Sequence, residues 1–428
     1  MRVSSQHAGS PAVSLSLDLL RRLFADAYAR DFAIALWDGT RIEATAKERF
    51  ELRLNAPYAL RAALMPPLDL NPGRANAAGI IDIGGDIEAG IDAFMVATAR
   101  LTPLRLSRML TVLLRLPKSP DFAEIRSAQL HGAPHSRSRD AAAVAFHYDQ
   151  SPDFYRQFLG EDMVYSCAYW DEGVETLAQA QTAKIDYVLR KLRVGTGSRL
   201  LDIGCGWGTL AIRAAQTFGV RATGITLSAA QAEYAQRRVA ELGLRDLVRI
   251  EQRDYRELGG EAYDAIVSIG MAEHVGRAKL TAYFNAAYRS LRPGGVFLNH
   301  AIADRGDGSN GGRTNGFVER FVFPDGDLVS LSKMNLAAEA AGFEVRDVEN
   351  LREHYARTTS AWIAGIEANR DTLVAHSSPE AWRIWRLYLA GSGQGFRSGR
   401  LLIFQTLFAK PPPGGRLVLP PTRRDWYR

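Results

Sequence analysis

Arg199-Leu-Leu-Asp-Ile-Gly-Cys-Gly-Trp-Gly-Thr-Leu-Ala-Ile212 is the stretch whose reading decides the fold. Leu200, Leu201 and Ile203 form an apolar run of the kind expected for a buried strand. The run breaks into Gly204, Gly206 and Gly208, and a helical pattern follows. Glycines are needed where a chain leaves a strand tightly and a ligand must meet bare backbone. The helix behind them offers unpaired N–H groups and a partly positive end. A dinucleotide loop would place its third glycine at 209, where Thr209 stands. It would also carry an acid roughly 20 residues on. The next strand instead ends Gly224-Ile-Thr-Leu-Ser228, without a carboxylate.

Working outward, the spacing predicts strands at Ala222–Thr226, Val248–Gln252, Tyr263–Ile269, Gly295–Asn299 and Leu401–Ala409. In a doubly wound sheet, ligands sit off the carboxyl ends of the strands. That rule places Thr226, with Ser228 and Gln231 at the mouth of the following helix, beside the glycine loop. It also places Asp254-Tyr255 there, Asp254 as an acceptor for an adenine amino group. Glu273, in Gly270-Met-Ala-Glu-His-Val-Gly276, and His300, in His300-Ala-Ile302, fall at the same edge. Upstream, His147-Tyr148-Asp149 precedes Val164-Tyr-Ser-Cys-Ala-Tyr-Trp170, where Tyr165, Tyr169 and Trp170 surround Cys167. Such a cluster is either a hydrophobic cap or a set of aromatic faces for a cation. A Gly/Asn-rich segment at 304–316 is long enough for a lid. Phe317, Phe321 and Phe323 supply apolar wall, and Tyr355 and Trp362 follow.

At 428 residues the chain exceeds one ordinary core, so two domains are expected. The expected boundaries are an accessory domain at 1–120, a polar linker at 121–142, the main domain at 143–410 and a loose tail at 411–428. Residues 1–15 read as untethered, Leu17–Arg30 as a helix, and Phe32–Trp37, Arg41–Thr45 and Phe50–Leu54 as hairpin strands. Ile80–Ile87 reads as a strand and Glu88–Ala99 as a helix. After Thr102-Pro103, Arg105, Arg108 and Arg115 share one helical stripe, and leucines fill much of the rest. That pattern suits either an anionic membrane surface or a core helix with a solvated arginine face. His131 and His135 read as solvated. The net charge of +6 suits an anionic partner. Without an RNA-binding signature or zinc-ligand spacing, that partner is lipid rather than nucleic acid, and no metal is expected. No apolar run reaches the length of a bilayer span, and no secretory signal opens the chain. Two cysteines, each within a motif, fit a cytoplasmic setting.

The form D-x-G-x-G-x-G, from Asp202, resembles motif I of class I S-adenosylmethionine (SAM) methyltransferases. With HYD, YSCAYW, GITLS, DYREL, IVSIGMAEHVG, LRPGG, FPDG and YARTT in order, residues 147–410 resemble the cyclopropane-fatty-acyl-phospholipid synthase family, including mycolic acid cyclopropane synthases. The resemblance implies an α/β fold: a Rossmann-like methyltransferase domain with a seven-stranded, mostly parallel sheet, and a smaller N-terminal α+β domain that presents lipid. It implies SAM contacts at Tyr165, Ser166, Gly204, Gly206, Thr226, Gln231, Asp254 and Tyr255. It further implies a bicarbonate cage of Cys167, Glu273, His300, Ile302 and Tyr355. The implied reaction adds a methylene to the cis double bond of a phospholipid acyl chain through a carbocation. The enzyme would work peripherally on the cytoplasmic face of an unsaturated phospholipid membrane, and a homodimer is compatible with it. Two departures, Gln150-Ser-Pro152 after HYD and Ala272 before Glu-His, bear on the substrate and the product. Other readings are a methyl-branched or methylene product, methylation of an alkaloid nitrogen, or a lipid- or SAM-binding module without turnover.

Overall fold

The computed structural model describes residues 3–4, 10–24, 30–119, 125, 127–148, 150–260, 262–306, 316–417 and 419–427. The chain divides into two compact units, the first built from 1–128 with 314–322 and 370–394, the second from the remainder. Linear boundaries therefore miss two later segments that join the accessory unit. Their attachments are specific. The Phe317 N–H donates to the Asp69 carbonyl at 3.0 Å, and its ring lies where a Cβ on Gly73 would stand. Arg386 donates to the Gly85 carbonyl at 3.3 Å and lies 3.9 Å from Asp82.

The first unit holds a five-stranded sheet of β1 (Val3–Ser4), β2 (Phe32–Leu36), β3 (Arg41–Ile42), β4 (Phe50–Leu54) and β5 (Ile81–Gly85), in the order β1-β3-β2-β4-β5. The expected hairpin forms between β2 and β3, turning at Gly39, whose φ of +86° suits glycine. β4, however, pairs with β2 in parallel. Backbone bonds from Thr45 to Arg30 and from Arg49 to Asp31 carry the chain back to the entry of β2 before β4 begins. The first helix runs Pro11–Phe24 rather than Leu17–Arg30, and Val13 is buried, so this part of the N-terminus is held. Thr102 caps the Pro103–Leu113 helix as expected. Met109, Val112 and Leu113 enter the core, while Arg105, Arg108, Arg115, Leu104 and Leu114 stay exposed.

The second unit carries β6 (Arg199–Ile203), β7 (Arg221–Thr226), β8 (Val248–Gln252), β9 (Tyr263–Ile269), β10 (Leu291–Ala303), β11 (Glu344–Asn350) and β12 (Leu402–Ala409). Their order is β11-β12-β10-β9-β6-β7-β8, and β12 is antiparallel to both neighbours. Strands β7 and β8 lie on one side of β6, and β9 lies on the other. The strand order reverses there, which is where doubly wound sheets bind ligands. The Leu177–Leu192 helix, started by a Thr176–Gln179 capping box, lies along one face. β10 extends past the expected Asn299 to Ala303 because β12 pairs with it through Leu402.

The carboxyl-terminal tail is not loose at its end. Trp426 is buried in the core, its carbonyl accepts from Arg190 at 2.8 Å, and Asp425 pairs with Arg193. Arg423 pairs with Asp347 at 2.5 Å. Cations of Lys191, Arg193 and Arg423 lie within 5.7 Å of the Trp426 ring centre, which favours them electrostatically. Trp426→Ala is expected to destabilise this unit by about 3 kcal/mol, visible as a lower thermal midpoint.

Candidate active site

β9 and β10 end side by side, and each delivers one ionisable group. Glu273 follows β9 on the short Ala272–Val275 helix, and its Oε1 accepts from the Ile302 N–H at 2.7 Å. Its Oε2 is buried with no hydrogen-bond partner among the described residues. Burial lifts this carboxyl to about 7, although the Ile302 N–H pulls the other way. His300, fully buried on β10, has Nδ1 at 3.1 Å from the Gln405 amide. Its Nε2 also lacks a partner among the described residues. Burial, then the charges of Lys184 and Lys191, hold the imidazole neutral, far below its ordinary pKa.

Leu351 anchors two further expected cage members. Its carbonyl accepts from the Tyr355 N–H at 3.0 Å and lies 3.7 Å from the Cys167 thiol. Its own N–H donates to Ile403, the cross-strand partner of Ile302. A continuous set of contacts thus links Cys167, Tyr355, Ile302 and Glu273, and His300 lies two residues from Ile302 on the same strand. Cys167 is fully buried, and burial pushes its thiol up, so it serves as a neutral donor rather than a thiolate. The Tyr355 ring stacks on Phe396 at 4.4 Å and meets Trp362 edge-on at 5.8 Å.

The glycine loop follows the expected logic at two positions. Gly206 has φ +55° and faces open space, so a ligand can approach its backbone. Gly208 has φ +83°, and a Cβ there would come within 2.9 Å of Ala235, so this glycine serves helix packing. Gly204 is pinned by its N–H to the Ile225 carbonyl at 2.9 Å. Thr226 Oγ1 donates to Gln231 at 2.9 Å, and both side chains are buried. Asp254 differs from the expected free acceptor. Both its oxygens accept from Arg256, which outweighs burial and holds the carboxyl below its usual range. Arg256 also lies 3.1 Å from Asp140. Tyr255 lines a pocket with Val144, Leu227, Met271 and His274, and Met271 lies against Gly204.

The aromatic group around Cys167 separates. Tyr165 packs with His147, Tyr155 and Trp362, at ring distances of 5.7, 6.2 and 5.2 Å. Tyr169 stacks instead on His354, and Trp170 sits beneath Arg357. Those two faces are already occupied. Phe317 and Phe321 belong to the first unit, and Phe323 packs on His147 and His274 in the second. His135 is not solvated; it lies 3.6 Å from Asp140 and closes over Gly276. Asp149 and positions 307–315 of the expected lid lie outside the described residues.

Three residues placed against the candidate site escaped the sequence reading. Lys184 donates to Ser166 at 2.9 Å from a fully buried position, and burial lowers it to about 8. Its charge acts on Asp202, Cys167 and His300 alike. Lys191 and Gln405 stand behind His300. The signal lay in Lys184 and Lys191 themselves, two lysines seven positions apart on the sheet-facing stripe of a helix.

The family described as mycolic acid cyclopropane synthetase matches residues 135–406. The chain belongs to that family. It is accordingly a SAM-dependent methyltransferase of the cyclopropane synthase type, acting on lipids. A probable fatty acid methyltransferase from Pseudomonas putida is 38% identical over 92% of this chain and 96% of its own length, so its likeness takes in the first unit. Cyclopropane mycolic acid synthase 1 of Mycobacterium tuberculosis is 38% identical over 62% of this chain and 95% of its own. The solved structure of mycolic acid cyclopropane synthase CmaA1 complexed with SAH and CTAB has a TM-score of 0.60 and 36% identity, covering 63% of this chain and 98% of that one.

The raised Glu273 pKa fixes a sign. The folded state binds the proton more tightly than the unfolded chain, so this group costs stability as pH rises from its ordinary value of 4.5 towards 7. Glu273→Gln is therefore expected to gain stability over wild type across that window, approaching about 3 kcal/mol near neutrality, and to match it in acid. Thermal melts of both proteins against pH measure it.

Proposed function

We propose that the chain transfers a methylene group from SAM to the cis double bond of unsaturated phospholipid acyl chains, forming cyclopropane fatty acids. The observation that carries this reading is the pair of partnerless buried atoms, Glu273 Oε2 and His300 Nε2, at the ends of adjacent strands. One accepts and the other is able to donate. With the Cys167 thiol and the Tyr355 side chain, they suit a small anion that carries one proton, as bicarbonate does. When bound, bicarbonate supplies a base between Glu273 and His300. The raised Glu273 pKa allows a proton to be shared with that anion instead of two ionised groups facing each other.

The chemistry balances. The alkene electron pair attacks the methyl carbon as the carbon–sulfur bond breaks, leaving S-adenosylhomocysteine and a carbocation. Loss of a proton from the new methyl group closes the ring, so the product gains one CH2. An alkene is a weak nucleophile, and water would capture the cation, so this protein must contribute orientation and dryness. The packed rings of Tyr165, Trp362, Tyr355 and Phe396 form an apolar cluster that disfavours water. Gly206 and the Thr226–Gln231 pair position the methyl donor. Exposed Arg105 and Arg108 on the Pro103–Leu113 helix, and exposed Arg115 just past its end, with exposed Leu104 and Leu114, support work at an anionic phospholipid surface.

A relative named a probable fatty acid methyltransferase leaves room for a second product, a methyl-branched or methylene chain that keeps a double bond after the same alkene methylation. Mass spectrometry of membrane lipids from expressing cells separates the outcomes. A ring adds one CH2 and removes the double bond without leaving one that hydrogenation can saturate. Unaltered lipids would end both readings. Glu273→Ala and Tyr355→Phe are each expected to lower turnover at least about 100-fold with little change in SAM binding. Bicarbonate-depleted buffer is expected to lower activity, and adding bicarbonate back to restore it. Replacing all three arginines by glutamate should reduce sedimentation with anionic liposomes, at about 1 kcal/mol per residue.

A further inference from the structure

The sheet register places three side chains in one row. Glu349 on β11 pairs with Gln405 on β12, and Gln405 pairs with His300 on β10. The Leu177–Leu192 helix drops Lys191 onto that row. Its Nζ donates to Gln405 Oε1 at 2.9 Å and to Glu349, and lies 3.7 Å from Asp347. Burial lowers Lys191, and Glu349 and Asp347 beside it oppose that; as an ammonium ion it can donate but never accept. The Gln405 oxygen is thereby fixed towards Lys191, and its NH2 end must face His300 Nδ1, 3.1 Å away. An NH2 group needs an acceptor, so Nδ1 is bare.

We propose that Gln405 and Lys191 are positioning residues that hold His300 in the neutral form with its proton on Nε2, the nitrogen that faces the cage. This deepens the proposed function and rests on it, because it makes His300 a fixed donor to the cage anion and removes it as a competing base. Every charged group facing the ring agrees. Lys184 and Lys191, from the helix above, both oppose a second proton. Glu349 and Asp347, on β11, are turned to Lys191. Glu273, from the end of β9, is bound at the Ile302 N–H two residues along. A neighbour that fixes a tautomer in this way controls turnover more than affinity.

The full chain labelled with 15N-histidine tests this, since it contains eight histidines and the His300 signals are those lost in His300→Gln. Nδ1 is expected to resonate as a bare imidazole nitrogen and Nε2 as an N–H, without titration from about pH 6 to about pH 9. Gln405→Glu keeps the side-chain shape but puts an acceptor against Nδ1. It should move the proton to Nδ1 or protonate both nitrogens. Turnover on unsaturated phospholipid vesicles should fall about 100-fold or more, with KM for SAM changed less than about threefold. A wild-type spectrum with a proton on Nδ1, or one that titrates in that range, overturns the proposal, as does unchanged turnover in folded Gln405→Glu. The wild-type spectrum decides even if that variant does not fold. Because it needs no turnover, it also separates a wrong tautomer from a wrong substrate.

Discussion

Taking a carboxyl and an imidazole out of water is the constraint on which the rest of this site depends. A buried ionisable group without compensation costs several kcal/mol, and proteins ordinarily neutralise it or pair it. Glu273 is half compensated, with one oxygen on the Ile302 N–H and one left open. His300 is half compensated too, through Gln405. Leaving the other half unmet is an expense that a structural core has no reason to bear. A site that must receive a small polar species does have one, because the missing partners define the shape and polarity of what fits.

The surroundings show how the fold tolerates this. The second unit is a doubly wound sheet with apolar cores on both faces, and strands β9 and β10 run deep into them before ending at the site. Into one of those layers the Leu177–Leu192 helix sends two buried lysines. Lys191 is answered by Glu349 and Asp347, while Lys184 is answered by the Ser166 hydroxyl and the charge of Asp202. Asp202 itself is raised to about 7 by burial, so neither partner of that pair is comfortably charged. The arrangement places positive potential behind the imidazole and beside the thiol, which favours an anion in front of them.

Much of this was legible in the chain. The strands β8 and β9 lie at the residues where alternation and apolar runs placed them, and the glycine loop sits at the point where strand order reverses. What local pattern could not carry was long-range. Nothing in the residues around Trp426 reveals that it docks on Arg190, 236 positions upstream, or that Arg423 answers Asp347. Segments 314–322 and 370–394 look continuous with their flanks but join the first unit. That Arg256, two residues on, binds both oxygens of Asp254 was equally invisible in the local pattern. The Gln405 contact depended on register, and register is a property of two strands rather than of either one.

β12, whose Gln405 stands behind His300, enters the sheet between β10 and β11, two strands that precede it in the chain. Until it inserts, β10 presents an unpaired edge and the imidazole has no neighbour on that side. A chain that has formed its methyl-donor loop but not yet threaded this late strand therefore lacks Gln405, the fourth residue of β12, behind His300. Insertion of the wedge thus joins β11 to β10 and sets the neighbour of the imidazole in one event.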